Sequence, residues 1–323
     1  MQGRYELKYI VDGETKQRFL DAVQANVSAD PHGENAIYRV SSLYFDTPDF
    51  RAVWEKLDGE SVRRKFRLRY YSVDHDNVDS VQVSNAFMEI KHRIDNTVYK
   101  QRVQLSNDGA TVILSDGKEL ARLGSHVLDE SSDKFLINEI QRTASLQKLQ
   151  SATVITYLRE AWQGKIESRL RLTFDTLCQA YSPSRFAEVK SNQGAQLLDP
   201  NLAVMEVKFD QAIPCWIRDV LMKQQMRLQR FSKYASGVLQ DEDLRFHSQL
   251  ASARVGEMQI GRDQKLIPNT LSKSGQAEMP KAPEDSTSAN GVAGASSENS
   301  TTGFPLLPPL EPIRRTDDTQ TLS

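Results

Sequence analysis

The chain is poor in cysteine and histidine and has no long apolar run. Its two cysteines, Cys178 and Cys215, are too few for a disulfide framework or a cysteine-based metal centre, so both are expected as core thiols. The histidines (His32, His75, His92, His126 and His247) lack metal-ligand spacing. Glycine-rich phosphate loops of the Walker or dinucleotide type do not occur. Neither Ser41, Ser42 nor Ser232 has a base at recognisable spacing, which leaves a nucleophilic triad without support. No run of about 18 apolar residues exists to cross a membrane as a helix, and the N-terminus opens on a charged pattern rather than an apolar leader. A soluble cytoplasmic protein in a reducing compartment is expected. Net charge is only -2, so the broad cationic surface of a nucleic-acid coat is missing, and any anion affinity must come from local clusters.

Aromatic residues are scarce at the C-terminal end, where Phe304 alone lies beyond His247. From about residue 248 the composition turns to Ser, Asn, Gly, Pro, Thr and Ala without periodicity. The expectation is a folded domain over 1–246 and a disordered tail over 247–323. Within that tail, Phe304 to Pro312 (FPLLPPLEP) reads either as an extended docking peptide for a protein partner or as a solvated stretch with chance prolines.

What the chain does have is strands with charge on one face. Val62 to Tyr71, VRRKFRLRYY, carries five basic residues in ten. In an extended backbone Lys65, Arg67 and Arg69 share one face while Phe66, Leu68 and Tyr70 share the other. The same two-residue spacing recurs in Glu6-Leu7-Lys8, Glu89-Ile90-Lys91, Arg169-Leu170-Arg171, Glu188-Val189-Lys190 and Glu206-Val207-Lys208. Strands are expected at 4–11, 38–46, 62–71, 87–93, 97–105, 152–161, 167–175, 186–190 and 202–209. Helices are expected after Asp12-Gly13, at 49–57, within 109–150, and as one long helix from Pro214 carrying Ile217, Val220, Leu221, Leu228 and Phe231. Residues 72–86 read as a polar loop. Few helices cross between consecutive strands, so the pattern favours an α+β fold with an antiparallel sheet large enough to close into a barrel, and it disfavours a doubly wound α/β fold.

A single charged pair reads as the solvated outer face of a strand. Its repetition on many strands instead places a ring of cations and glutamates on one surface. If that surface is a closed lumen, the cations must stay wet or hold anions. Phosphate chains meet this need, since arginine gives bidentate contacts and lysine a compact charge. The glutamates either pair with those cations or hold a hard divalent ion. The carboxylates at matching spacing argue against RNA, whose backbone they would repel.

Eight ordered pieces, RYELKYIV (4–11), SSLYFDTPDF (41–50), RKFRLRYY (64–71), MEIKHR (88–93), TYLREAW (156–162), LRLTFDT (170–176), AVMEVKF (203–209) and FSKYASG (231–237), resemble the VTC-domain polyphosphate polymerases of the triphosphate tunnel metalloenzyme (CYTH-like) group. The resemblance implies an antiparallel β-barrel tunnel lined by basic residues. It also implies transfer of the γ-phosphoryl group of ATP to a growing inorganic polyphosphate chain. Lys8, Arg67, Arg69, Lys91, Arg159, Arg171 and Lys233 would then bind nucleotide or chain, with Lys56 as a further phosphate ligand. Glu206 would hold Mn2+ or Mg2+, and Glu6 and Glu89 are secondary metal ligands or lysine partners. Hydrolases and cyclases of the wider group have Glu-x-Glu-x-Lys on the first strand. Here the first position is Arg4, which tilts the expectation from hydrolysis toward transfer. An inorganic triphosphatase and a non-catalytic ATP or polyphosphate sensor stay as alternatives. The absence of an N-terminal regulatory domain and membrane helices resembles the stand-alone prokaryotic form, placed in the cytoplasm or at the inner face of the membrane through a partner.

Overall fold

The computed structural model describes residues 3–32, 35–72, 85–129, 133–189 and 191–240. The tail expected over 247–323, its docking peptide and most of the loop at 72–86 lie outside them. The elements run β1 (Arg4–Asp12), α1 (Gly13–Val23), β2 (Val27–Ala29), β3 (Ile37–Asp46), α2 (Arg51–Leu57), β4 (Val62–Ser72), β5 (Phe87–Ile94), β6 (Thr97–Gln104), α3 (Asn107–Ser115), a 3-10 helix (Gly117–Ser125) and α4 (Lys134–Gln147). They continue with β7 (Gln150–Gly164), β8 (Arg171–Tyr181), a second 3-10 helix (Pro183–Glu188), β9 (Ala195–Gln196), β10 (Leu202–Phe209), α5 (Cys215–Lys223) and α6 (Lys233–Gln240). No helix among the described residues is long and apolar enough to cross a membrane.

All strand pairings are antiparallel. In the order β7-β3-β4-β5-β6-β1-β10-β8, with β8 returning to β7, they complete a closed circuit, and β2 and β9 extend it at β7 and β8. The join between β1 and β6 is the narrowest, pairing Arg4 with Val98 and Tyr5 with Thr97. The molecule is thus an antiparallel α+β fold with flanking helices, as the strand pattern predicts.

The period-2 alternation of β4 decides which side faces in. Phe66, Leu68 and Tyr70 join an outer core with Met88 and Ile90 of β5 and with Ile113, Leu136 and Ile140 of the helices that cover this side. On the opposite side Tyr9, Phe174, Met205 and Val207 pack against Phe19 and Val23 of α1 and Ile217 and Leu221 of α5. Each fully buried side chain of this size contributes roughly 1.5–3 kcal/mol, so both strand faces are fixed in register. A one-residue slip would bury the charges in these helical layers.

α6 packs against the inward side, its Tyr234, Ala235 and Val238 in one cluster with Val40, Tyr44, Ile155 and Tyr157. The close approach depends on Gly237, where an added Cβ would stand 2.5 Å from Ile155 Cδ1 and 3.1 Å from Ala180 Cβ. α2 begins after Phe50, which takes a left-handed conformation (φ 56) and makes no side-chain cap. Asp46 caps instead, accepting from the backbone N of Thr47 (2.8 Å) and of Ala52 (3.1 Å) and from the Tyr234 hydroxyl (2.5 Å).

Four sequence expectations are corrected. Of the strand expected over 186–190, the described residues 186–189 are not extended: Pro183 starts a 3-10 helix through Glu188, and Glu188 pairs outside the circuit with Arg185 at 2.7 Å. The long helix from Pro214 ends at Lys223. Gln225 turns left-handed (φ 51), and the chain then runs beside β1, with Gln229 N donating to Lys8 O at 2.8 Å, before α6 begins. Leu228 is accordingly exposed. Cys178 is a core thiol, raised by burial to about 12, but Cys215 is exposed at the start of α5. The strand expected from Glu167 begins at Arg171, and Arg169 before it pairs with Asp210.

Candidate active site

The register places charged side chains level with one another inside the circuit. Lys8 stands opposite Glu206, Glu6 opposite Lys208, Glu206 opposite Thr173, and Arg159 opposite Asp175. Glu206 is the centre of this side. Lys8 Nζ lies 2.9 Å from its Oε1 and Lys208 Nζ 2.6 Å from its Oε2, with Lys233 Nζ at 3.5 Å and Arg159 Nη2 at 3.7 Å. Burial alone would raise the Glu206 carboxyl. Lys208, Lys8, Lys233 and Arg159 outweigh it and hold the group ionised, well below the usual carboxylate range.

Asp175 is fully buried and takes a bidentate pair from Arg159, Nε to Oδ1 at 2.7 Å and Nη2 to Oδ2 at 2.8 Å. Lys233 Nζ donates to the same Oδ2 at 2.6 Å. The first residue of α6 is thereby tied to β8. The ring of Tyr157 lies under both cations, 5.1 Å from Arg159 Cζ and 4.8 Å from Lys233 Nζ.

Across the interior, Arg67 and Arg69 converge on Glu89, which is also fully buried. Arg67 Nη2 is 2.7 Å and Arg69 Nη1 3.9 Å from its Oε2, and Lys100 Nζ is 2.9 Å from Oε1. Arg67 further donates to the Tyr44 hydroxyl at 3.1 Å, and Arg69 to Ser42 Oγ at 3.1 Å and the Tyr157 hydroxyl at 3.2 Å. Burial pulls Lys100 and Lys208 down to about 8, a loss that Glu89 and Glu206 only partly reverse.

A third group has no such compensation. Among the described residues no carboxylate pairs with Lys65, which donates to Ser232 Oγ at 2.9 Å and lies 5.3 Å over the Tyr234 ring. Burial and then the charges of Lys91, Lys8, Arg63 and Lys56 push its ammonium well below the ordinary lysine value. Lys56 is lowered too, by burial and by Arg63 and Arg230. Asp46 feels the charge of Lys65, and Glu55 and Glu60 act on Arg63, but among the described residues no carboxylate makes an ion pair with Lys65 or Lys56.

The structure thus brings Lys8, Arg67, Arg69, Lys91, Arg159, Lys233 and Glu206 together, and puts Lys56 beside Lys65 at one edge. Lys91 Nζ sits 2.8 Å from Glu6 Oε2, while Glu89 pairs with Arg67 and Lys100. Arg171 also stands on the inward face, but Asp30 Oδ2 holds it at 2.5 Å and its Nη2 donates to the Tyr38 hydroxyl at 2.8 Å. Reading the sequence for charge pairs misses Asp175, Tyr44, Tyr157 and Lys100 as members of the site. Parity from Arg171 through Thr173 to Asp175 is the one signal that would have found the aspartate.

A divalent ion fits the residues present. Lys8 Nζ bridges Glu206 Oε1 at 2.9 Å and Glu6 Oε1 at 3.1 Å, so the two carboxylates already share one cation. No group of three or more His, Cys, Asp or Glu among the described residues could hold a metal. An ion on Glu206 and Glu6 would therefore complete its shell from phosphate oxygens and water, a preference of magnesium and manganese.

These features define a closed antiparallel sheet with a surplus of cations around a few ionised carboxylates. The chain belongs to the VTC domain family, whose model matches residues 3–240. No curated protein matches it. Among solved structures it is similar to a Hippeastrum protein assigned as an adenylyl cyclase and described with a dominant triphosphatase activity (12% identity, 77% of this chain and 97% of that one, TM-score 0.43). It is also similar to an assigned adenylate cyclase from Vibrio parahaemolyticus (14%, 72% and 95%, TM-score 0.37) and to the Mimivirus capping enzyme triphosphatase (10%, 70% and 90%, TM-score 0.32).

Proposed function

We propose that the chain transfers the γ-phosphoryl group of ATP to the end of an inorganic polyphosphate chain. The observation that carries this reading is the surplus of inward cations over carboxylates in a VTC-domain fold, since a polyanion satisfies many such cations at once. In the reaction a terminal phosphate oxygen of the chain forms a bond to the γ-phosphorus, the bond to the β-bridging oxygen breaks, and ADP leaves. Such a transfer asks of the protein positioning and charge stabilisation rather than covalent chemistry.

Arg67 and Arg69, oriented by Glu89, Tyr44 and Tyr157, clamp phosphate oxygens. Arg159 and Lys233, held by Asp175, present fixed charge to the transferring group. Lys8, Lys91 and Arg171 extend the path, and Lys65 and Lys56 receive phosphate where no carboxylate holds them in an ion pair. A divalent ion on Glu206 and Glu6 would supply charge neutralisation at transferring oxygens. Arg4 stands where hydrolases of the wider group have a first carboxylate, a change that favours a phosphate acceptor over water.

Incubation of the purified chain with ATP and manganese, with products resolved by gel and phosphate assayed in parallel, tests the proposal. A ladder of long chains, lost in Glu206→Gln while the fold persists, is the expected result. Orthophosphate alone would assign a triphosphatase, and binding without turnover a sensor.

A further inference from the structure

Where β4 ends, the inward positions change from charged to aromatic. Tyr71 continues the face of Lys65, Arg67 and Arg69, and Phe87 stands opposite Arg69 on β5. The rings meet edge to face: Tyr71 and Phe87 have centroids 6.3 Å apart at 70°, and Tyr38 and Tyr71 are 5.9 Å apart at 64°. Arg102 places its guanidinium 4.3 Å above the Phe87 ring. Tyr71 and Phe87 are half-buried and Arg102 is exposed. This is one strand step, about 7 Å, beyond the arginine that clamps phosphate.

An aromatic cluster with a guanidinium laid on it is chemically unlike the rest of the interior. Tyr44 and Tyr157 give their hydroxyls to Arg67 and Arg69 and so belong to the phosphate clamp. Tyr71, Phe87 and Arg102 instead offer flat surface. Ring faces and guanidinium planes hold nucleobases by stacking, and they do so with little demand on the base edge.

We propose that Tyr71, Phe87 and Arg102 form a stacking site for the base of a nucleoside triphosphate whose phosphates reach Arg69 and Arg67. The inference rests on the interior being a triphosphate site, as argued above, and adds which end of it the nucleoside occupies. Because recognition is by stacking alone, ATP and GTP are taken about equally, and pyrimidine nucleotides more weakly.

The test is equilibrium binding of ATP and of inorganic tripolyphosphate, without metal, to the full chain and to Tyr71→Leu, Phe87→Leu and Tyr71→Trp. Each leucine variant should lose roughly 10-fold in ATP affinity and keep its tripolyphosphate affinity, which also shows that the fold is intact. Tyr71→Trp should retain ATP binding. Equal loss of both ligands would make the rings structural, and loss of neither would place the base elsewhere; each overturns the proposal. A wild-type chain that binds tripolyphosphate with no change in ATP affinity among the variants removes only the stacking site. One that binds neither ligand removes the triphosphate reading and this inference with it.

Discussion

The two sides of the interior differ in how their charge is balanced. Around β1, β8 and β10, every named cation has a carboxylate within reach: Lys8, Lys208, Arg159 and Lys233 share Glu206, Glu6 and Asp175. Around the start of β4, Lys65 and Lys56 face other cations and are held below their ordinary values. The paired side is already satisfied when empty, so its first contribution is rigid placement of charge. The unpaired side gains most when an anion arrives, because the ligand relieves repulsion as well as adding contacts. Stability and affinity should therefore separate between the two sides.

The largest effect is expected on the paired side. Asp175→Asn removes the counter-ion of Arg159 and Lys233 while preserving shape, leaving buried charge uncompensated. Breaking one partner of a buried pair costs about 3–5 kcal/mol, and urea unfolding of the variant should show a fall of that order at constant m. A loss below about 1 kcal/mol would mean that water reaches the pair and that the rigid-side description fails.

The importance of Asp175 also shows where sequence reading reaches its limit. Strand alternation was legible because Phe66, Leu68 and Tyr70 must be buried, which turns Lys65, Arg67 and Arg69 inward. The Glu206 and Lys208 pair was legible for the same reason. Asp175 was not, because it has no charged neighbour two residues away on the C-terminal side, and its partner Lys233 comes from a distant element. That partner's position depends on the break at Gln225, where apolar spacing continues although the backbone turns away to pass beside β1. Glu188 and Lys190 copied the charge spacing of a strand, but Pro183 and local pairing with Arg185 keep Glu188 in a 3-10 helix outside the sheet. Periodicity records burial; it does not record which distant strand supplies the counter-ion.

On the unpaired side, Lys65→Met should act in the opposite sense to Asp175→Asn. Removing a buried ammonium that lacks a carboxylate should leave the empty protein as stable or more stable. Tripolyphosphate affinity should fall roughly 10-fold or more, the value of a charge-assisted hydrogen bond. Thermal unfolding and calorimetric titration on one sample separate the two quantities. A variant destabilised without loss of affinity would reverse the contrast.

The Asp46–Tyr234 contact joins the two sides, since Tyr234 follows Lys233, lies under Lys65 and stacks on Tyr44 at 4.8 Å. Tyr234→Phe keeps the ring and removes the 2.5 Å bond to Asp46. Stability should fall by about 1–2 kcal/mol, and turnover by about fivefold as α6 shifts Lys233, on the scale of misplacement effects. Unaltered turnover at reduced stability would show that Asp175 alone positions Lys233.

The smallest effect distinguishes the sides by pH. Lys100 and Lys208 sit at about 8 in the empty protein, below the ordinary lysine value of 10.5. Between these limits the unfolded chain binds more protons than the folded one, so the two groups make the empty protein more stable as pH rises from about 8 toward 10.5. Ligand affinity moves the other way, because a bound polyanion keeps both lysines charged and the free protein loses those protons near pH 8. From pH 7 to 8 the affinity for tripolyphosphate should drop about threefold, with net proton uptake on binding. Lys100→Met should reduce that drop to less than about twofold. Calorimetry in buffers of different ionisation heat reads the proton count directly, and uptake unchanged by this substitution would place the titrating groups on the unpaired side instead.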